Sequence, residues 1–387
     1  MNMYRLFILC LLYVPSLVQA QIFVANQATL HIDANSTFYV PQHIENQGTI
    51  SNQGTIEIIG NWTNPGTNTP TGTVIFDGTN QQISQHGNTF YTLVITGGGN
   101  KEVPTSMYIT NSLQLDNGYL IPVDTAKIIL LPQAQSTIGS EQSYVKGTLY
   151  AKGEGNKYFA VGTDNLFLPA EFHNIIGNNT LFGISVHEFE NSVVTGKGAR
   201  TIFDDTYWKI HTIEGALQPS QVSLPIPQNY SGDIDSLVVV QSETVTSPFE
   251  SIGYDNSIVS IIPYDYITSK DSIASPILAR GILLDVNWDL LYIPNALSKN
   301  ATNPNDNCIK VYGGLFKAED FSFTITNQWG NKVFETKSLQ EMESIGWTGE
   351  NKRTNRRETT GQYFYYIQAV AKDNTPYSKA GTIWIID

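Results

Sequence analysis

Asn46-Gln47-Gly48-Thr49-Ile50 is followed almost at once by Asn52-Gln53-Gly54-Thr55-Ile56, and this doubled stretch decides how the N-terminal part of the chain is read. Each copy sets Asn and Gly in front of a Thr-Ile pair. Asn and Gly tolerate the positive φ of a tight corner, whereas Thr and Ile favour extended backbone. Looser versions follow at Gly72-Thr73-Val74-Ile75-Phe76, Thr92-Leu93-Val94-Ile95, Ser112-Leu113-Gln114-Leu115 and Lys127-Ile128-Ile129-Leu130. Short strands closed by Asn, Gly, Asp or Pro and recurring imperfectly suit a parallel β-solenoid, where each coil buries its inward residues against the next. A β-sandwich with many turns is the alternative for residues 21–140.

Downstream, residues 141–290 read as a β-rich middle domain. Tyr144-Val145-Lys146-Gly147-Thr148-Leu149, Tyr158-Phe159-Ala160-Val161-Gly162-Thr163, Tyr207-Trp208-Lys209-Ile210 and Ser236-Leu237-Val238-Val239-Val240 are its strand candidates. Pro248, Pro263 and Pro276 punctuate it as loop or edge signals. The best helix candidate in the chain, residues 339–345, is barely two turns long. From 291 to 387 a third module is legible. Phe321, Phe323 and Ile325 alternate with polar residues, the period of a half-buried strand. Asn327-Gln328-Trp329-Gly330-Asn331 turns the chain, and Lys332-Val333-Phe334-Glu335 returns as the partner. Gly361-Gln362-Tyr363-Phe364-Tyr365-Tyr366-Ile367 and Gly381-Thr382-Ile383-Trp384-Ile385-Ile386 supply two more strands. The predicted fold class is therefore all-β: a β-solenoid-like or β-sandwich body followed by a C-terminal antiparallel, immunoglobulin-like β-sandwich. Trp329, Trp347 and Tyr363 are expected in the core of that sandwich.

Composition and the N-terminus fix the compartment. Arg5 precedes an apolar run over residues 6–14, then Pro15, Ser16 and Val18-Gln19-Ala20. This is the layout of a secretory signal over residues 1–20 with Gln21 first in the mature chain. The run falls short of the roughly 20 apolar residues a spanning helix needs, and no later stretch supplies them. After cleavage Cys308 is the single cysteine, so no intramolecular disulfide can form and stability must come from burial. The net charge is −13, unevenly spread: residues 21–290 hold 10 Lys and Arg against 25 Asp and Glu, whereas 291–387 hold 11 against 10. An acidic body on a near-neutral tail argues against nucleic acid as a partner and against a basic membrane-surface patch.

Residues in catalytic arrangements are few. His31, His43, His86, His173, His187 and His211 are scattered without a metal-ligand spacing. In His187-Glu188-Phe189-Glu190, strand alternation separates the histidine from both carboxylates. Gly97-Gly98-Gly99 and Gly153-Glu154-Gly155 read as turns, and no nucleophile elbow or phosphate loop appears. Asp204-Asp205 is the one candidate carboxylate pair for sugar chemistry, without a second cluster to complete it. The expectation is a non-enzyme with no cofactor and no metal. One local feature stands out, the basic run at Lys352, Arg353, Arg356 and Arg357. It reads either as a solvated hairpin tip or as an electrostatic contact with export machinery or an anionic surface polysaccharide.

Two resemblances sharpen this reading. Phe76-Asp77-Gly78-Thr79-Asn80-Gln81-Gln82-Ile83 and Asp116-Asn117-Gly118-Tyr119-Leu120 resemble the β-helical stalks of Bacteroidetes surface proteins. The tail resembles the gliding-motility-associated C-terminal domain, the type B sorting domain of the type IX secretion system. That likeness rests on Pro294 and Asn295, on Trp329, Gly330, Asn331, Val333 and Phe334, on Trp347 and Gly349, on Gly361 and Tyr363, and on Gly381. Two positions depart from the family pattern. Thr348 stands where Trp-Asp-Gly is usual, and the loop after Asn295 keeps one carboxylate, Asp306, so no calcium-like role carries over. The resemblance implies export through the type IX translocon to the cell surface. The function expected is a non-catalytic adhesion or structural role, with other cell-surface proteins or surface polysaccharide as partners. The alternatives are a carbohydrate-binding surface protein and a solenoid polysaccharide-degrading enzyme.

Overall fold

Three parallel sheets wrap the N-terminal body, because each short strand ends at a corner and hands the chain to the next face. In this computed structural model the described residues are 21–386 apart from 178, 216–219, 229, 233, 284–290, 302, 314–315 and 373–375. The signal expected at residues 1–20 lies outside the described residues. An 8-stranded sheet contains Ile22–Val24, Ile44–Asn46, Trp62–Thr63, Gln81–Ser84, Asn100–Thr105, Tyr119–Pro122, Val145–Lys146 and Val161–Gly162 in that order. A 3-stranded sheet holds Thr29–Ile32, Thr49–Asn52 and Thr67–Pro70. The third face runs through Thr37–Val40, Thr55–Ile58, Thr73–Phe76, Thr89–Ile95, Met107–Leu115, Ile128–Leu130 and Leu149–Lys152. The pairings are parallel throughout, for example Thr49 with Thr67 and Thr55 with Thr73. The body is thus a β-solenoid, and its coils continue past residue 140 to Gly162. By contacts the coils form one compact unit, residues up to 152 with 160–167, and the remaining residues form a second.

The structure gives the doubled motif a specific meaning. Thr49–Asn52 and Thr55–Ile58 lie on different sheets, so Asn46 and Asn52 occupy successive corners of one coil rather than equivalent places on two coils. Three six-residue steps complete the turn, and Asn46 reaches Asn64, 18 residues on, in the next coil. At these two corners the buried asparagine accepts from its own turn and donates to the neighbouring coil. Asn46 Oδ1 accepts from Gly48 N at 3.0 Å while its Nδ2 donates to Asn64 Oδ1 at 2.7 Å and Thr67 O at 3.0 Å. Asn52 repeats this with Gly54 N at 3.1 Å and Thr73 O at 3.0 Å. The glycines are required by proximity: a Cβ on Gly54 would stand 2.3 Å from Ser36 O, and one on Gly48 2.3 Å from Ala28 O.

Between the corners, alternation sends one side chain in two to the axis. Ile50, Ile56, Ile58, Val74, Phe76, Leu93 and Ile95 are all buried. Trp62, Phe76 and Phe90 meet at the axis edge-on or tilted, with centroids 5.8 to 6.4 Å apart. Lys101 is also fully buried, its Nζ donating to Gly78 O and Gly98 O at 2.5 Å each. Burial lowers its pKa to about 8.

The middle domain is a sandwich. One antiparallel sheet contains Gly155–Phe159, Ala170–Ile175, Gln221–Pro225 and Tyr266–Thr268. The other pairs Leu181–Glu188, Thr206–Glu214, Ile277–Leu283, Leu237–Ser242 and Glu250–Ser251, with Ala199–Ile202 on Ile277–Leu283. Phe159 and Phe172 from the first sheet meet Phe182 of the second at 5.2 Å each. Arg280, also buried, ties the sheets: it donates to Pro225 O at 3.2 Å and to Asp205 Oδ2 at 2.6 Å, and lies over Trp208. On the outer face Ser185 Oγ lies 2.7 Å from His187 Nε2 and 2.8 Å from His211 Nε2, and His187 stacks on Tyr207. Burial first, then the Lys209 charge and His187, lower the His211 pKa to about 4.

The C-terminal domain is built on a 5-stranded sheet ordered Ala296–Ser298, Pro376–Ile386, Gly361–Ala371, Phe316–Asn327 and Lys332–Thr336. The opposite layer holds the short helix Leu339–Ser344 and the hairpin Glu350–Asn351 with Arg356–Arg357. Ser338 caps the helix, accepting from Glu341 N at 3.1 Å. Its sheet is antiparallel except at one edge, where Ala296–Ser298 runs parallel to Pro376–Ile386 because the first and last strands of the domain lie side by side. The core is drawn wholly from residues 297–385 and includes Phe321, Phe323, Ile325, Trp347, Tyr363 and Ile383. No helix among the described residues is long and apolar enough to cross a membrane.

Two measurements test this account. Asn52→Ala strips partners from Gly54 N and Thr73 O at roughly 1–3 kcal/mol each. Amide exchange over residues 49–73 should accelerate, whereas the exposed Gln53→Ala should leave it unchanged; equal behaviour would remove the corner amide from the account. For His211, the folded-state pKa of about 4 lies below the ordinary 6.5, so its contribution is complete above pH 6.5 and is lost as pH falls toward 4. Melting of the middle domain should decline across that window, and His211→Gln should flatten the decline.

Candidate functional site

Asn327 closes the turn at the tip of the C-terminal sheet. Its Oδ1 accepts from Trp329 N at 3.1 Å and Asn331 N at 2.9 Å, its carbonyl accepts from Gly330 N, and its own N–H donates to Asn331 O, each at 2.9 Å. Gly330 sits at φ +80°, the left-handed region that favours glycine. The turn is therefore over-determined, and it carries Trp329 at its apex with 73% of its surface exposed. This corrects the expectation that Trp329 is a core aromatic. Ile325 and Val333 already fill the inward positions on the flanking strands, and an apex residue faces no core.

The other motif aromatics are interior. Trp347 is 1% exposed; its Nε1 donates to Glu350 O at 2.8 Å and its ring meets Tyr363 edge-on at 5.4 Å. Its backbone exchanges two hydrogen bonds with Ile309, at 2.9 and 2.8 Å, a close approach that needs Gly346 alongside. Tyr363 donates to Glu358 Oε2 and Thr359 O at 3.1 and 2.9 Å, and burial raises its pKa. Val333 and Phe334 are buried in the same core. Gly349 takes φ +80° beneath Leu297, Gly361 takes φ +147° where its strand begins, and Gly381 leaves room for the Tyr365 ring across the strand pair. Asn295 accepts from Trp384 N at 2.8 Å. Pro294 and Asn295 line a cleft of about 580 Å³ with Tyr292, Tyr312 and Asp306. The two tyrosine rings there are held 5.9 Å apart by a reciprocal backbone bridge. That pairing joins distant positions and left no mark on the sequence.

The basic run forms the tip of the Glu350–Asn351 and Arg356–Arg357 hairpin. Lys352 is engaged: its Nζ donates to Glu341 Oε1 at 2.8 Å and lies over the Phe334 ring. That bond and one from Thr336 hold the Glu341 carboxyl below its ordinary pKa. Arg357 approaches Glu350 at 4.0 Å, and Arg353 and Arg356 are exposed. Lys352 N donates to Val333 O at 2.8 Å, pinning the hairpin beside the strand that leaves the Trp329 turn. A cleft of about 640 Å³ lies between them, lined by residues including Asn327, Asn331, Lys332, Phe334, Asn351 and Arg353.

Elsewhere the candidate groups serve packing. Asp205 pairs with Arg280, and Asp204 is not drawn into a carboxylate couple with it. His187 and His211 meet only through Ser185, a convergence that no linear spacing announces. Among the described residues no three His, Cys, Asp or Glu are grouped to hold a metal. Cys308 is buried, which raises its thiol pKa.

No curated protein and no solved structure matches this chain. Its C-terminal domain is different. Residues 291–385 match the family described as the CHU_C type IX secretion signal domain, so this chain carries a type IX secretion signal domain and is a secreted or cell-surface protein.

Proposed function

We propose that the acidic solenoid and middle sandwich are passenger domains displayed outside the cell in a non-catalytic adhesion or structural role, with residues 291–387 directing their export. The observation that carries this reading is the core of the C-terminal domain, built from its own residues and matched by a secretion-signal family over the same span. A module with its own core can be read by machinery whatever it is attached to. Support for a non-catalytic body comes from charge. Residues 21–290 hold few cations, and Lys101 and Arg280 among them are spent on internal carbonyls and Asp205. An enzyme acting on an anionic polysaccharide needs accessible cations or a metal against developing negative charge.

A second reading, carbohydrate binding by the solenoid, rests on Tyr39 and Tyr91, large aromatics left exposed on its strands. Glycan-array binding by the mature chain that disappears in Tyr39→Ala/Tyr91→Ala would favour this second reading over a passive spacer.

Removing residues 291–387 should leave a folded body trapped in the periplasm; delivery of that truncated chain to the surface at the normal level contradicts the export role. Trp347→Ala empties the largest aromatic site of the C-terminal core, at about 3–5 kcal/mol. It should unfold this domain and give the same periplasmic retention, read by limited proteolysis alongside surface labelling.

A further inference from the structure

The Trp329 turn and the basic hairpin are far apart in sequence, yet one cleft of about 640 Å³ separates them. Trp329 is 73% exposed on a turn backbone fixed by four hydrogen bonds to Asn327, so the turn holds this residue at the surface. Across the cleft, Arg353 lines the far side and is exposed, Arg356 is exposed on the hairpin strand opposite Asn351, and Asn351 Oδ1 accepts from Arg353 N at 3.0 Å and Thr354 N at 3.2 Å, fixing the tip. Phe334 and Val333 are buried in the cleft wall, with Lys352 over the Phe334 ring. An exposed tryptophan on the turn at one side of the cleft and exposed arginines on the hairpin at the other supply the two residue types, Trp and Arg, that dominate protein–protein hot spots. Preorganisation lowers the ordering cost of such a contact.

We infer that this face, Trp329 with Arg353 and Arg356, is the docking surface through which the export machinery reads the domain. Its partner is an acidic protein segment that offers carboxylates to the two arginines beside an apolar socket for the indole. This rests on the sorting role proposed above and names the surface that performs it. A protein socket fits better than a sugar chain, because the indole projects from an apex instead of lying flat along a recess. Planar guanidiniums on a fixed hairpin also match carboxylates in two-pronged geometry. None of the three side chains supports the core, so the surface can be changed without unfolding the domain.

The test compares full-length Trp329→Ala and Arg353→Glu/Arg356→Glu with the wild type and with the chain lacking residues 291–387, in a cell carrying a type IX translocon. Purified variants should melt as the wild type does. Surface-exposed protein should fall by about tenfold or more, with folded chain accumulating in the periplasm. Trp329→Phe and Arg353→Lys/Arg356→Lys should restore part of the export. Variants delivered normally while the truncated chain is trapped would overturn the inference and leave the sorting role standing. Normal delivery followed by shedding into the medium also overturns it, assigning the face to an anionic glycan instead. Delivery of the truncated chain itself would remove the sorting role, and this docking surface with it.

Discussion

A buried corner amide holds the coils of the body together. In a parallel solenoid every strand finds its partners in the coils on either side, but the turns between strands leave backbone groups with no ladder to join. Asn46 and Asn52 resolve this by accepting from their own turn and donating to the next coil. Asn64 passes the pattern on by donating to Gln85 Oε1 at 3.1 Å, which Trp62 Nε1 also reaches at 2.6 Å. The interaction works only if the coils approach closely, and the corner glycines permit that approach. Packing of the aliphatic strands then follows from the register the corners impose.

The C-terminal domain solves the same problem by other means. Its strands are joined mostly as antiparallel neighbours, with Gly361–Ala371 and Pro376–Ile386 paired along nearly their whole length. Its core is confined to its own residues, and Cys308 is the one cysteine in residues 21–387, so no disulfide within that span staples the domains. A stacked body gains stability coil by coil, whereas a sandwich gains it within one closed core.

Local periodicity made much of this legible. Phe321, Phe323 and Ile325 alternate in sequence and are buried together, and the Asn-Gly corners announced repeating coils. The step of the repeat was not legible, because similar motifs at successive corners of one coil look the same as motifs in successive coils. Trp329 was misread for a related reason: hydrophobicity marks a residue for burial, but only the geometry of the Asn327 turn shows that its apex faces water. Contacts such as Arg280 with Asp205, or Ser185 with two histidines, depend on which strands become neighbours, and one-dimensional spacing does not carry that.

Charge placement separates the two parts more strongly than composition does. Lys101, Lys157 and Arg280 are three of the ten basic residues in 21–290, and all three are buried, so the body's surface is more acidic than its sequence. In the tail, Arg353, Arg356 and Arg357 all lie at the surface on one hairpin. At physiological salt, fields from exposed charges decay over about 8 Å, so the hairpin arginines act locally on a tail that is near-neutral as a whole. The acidic body repels anionic polymers and other copies of itself while the tail offers a local cationic face. Under the export role proposed above, that division lets one end be recognised while like charge keeps the rest of the chain apart from its copies.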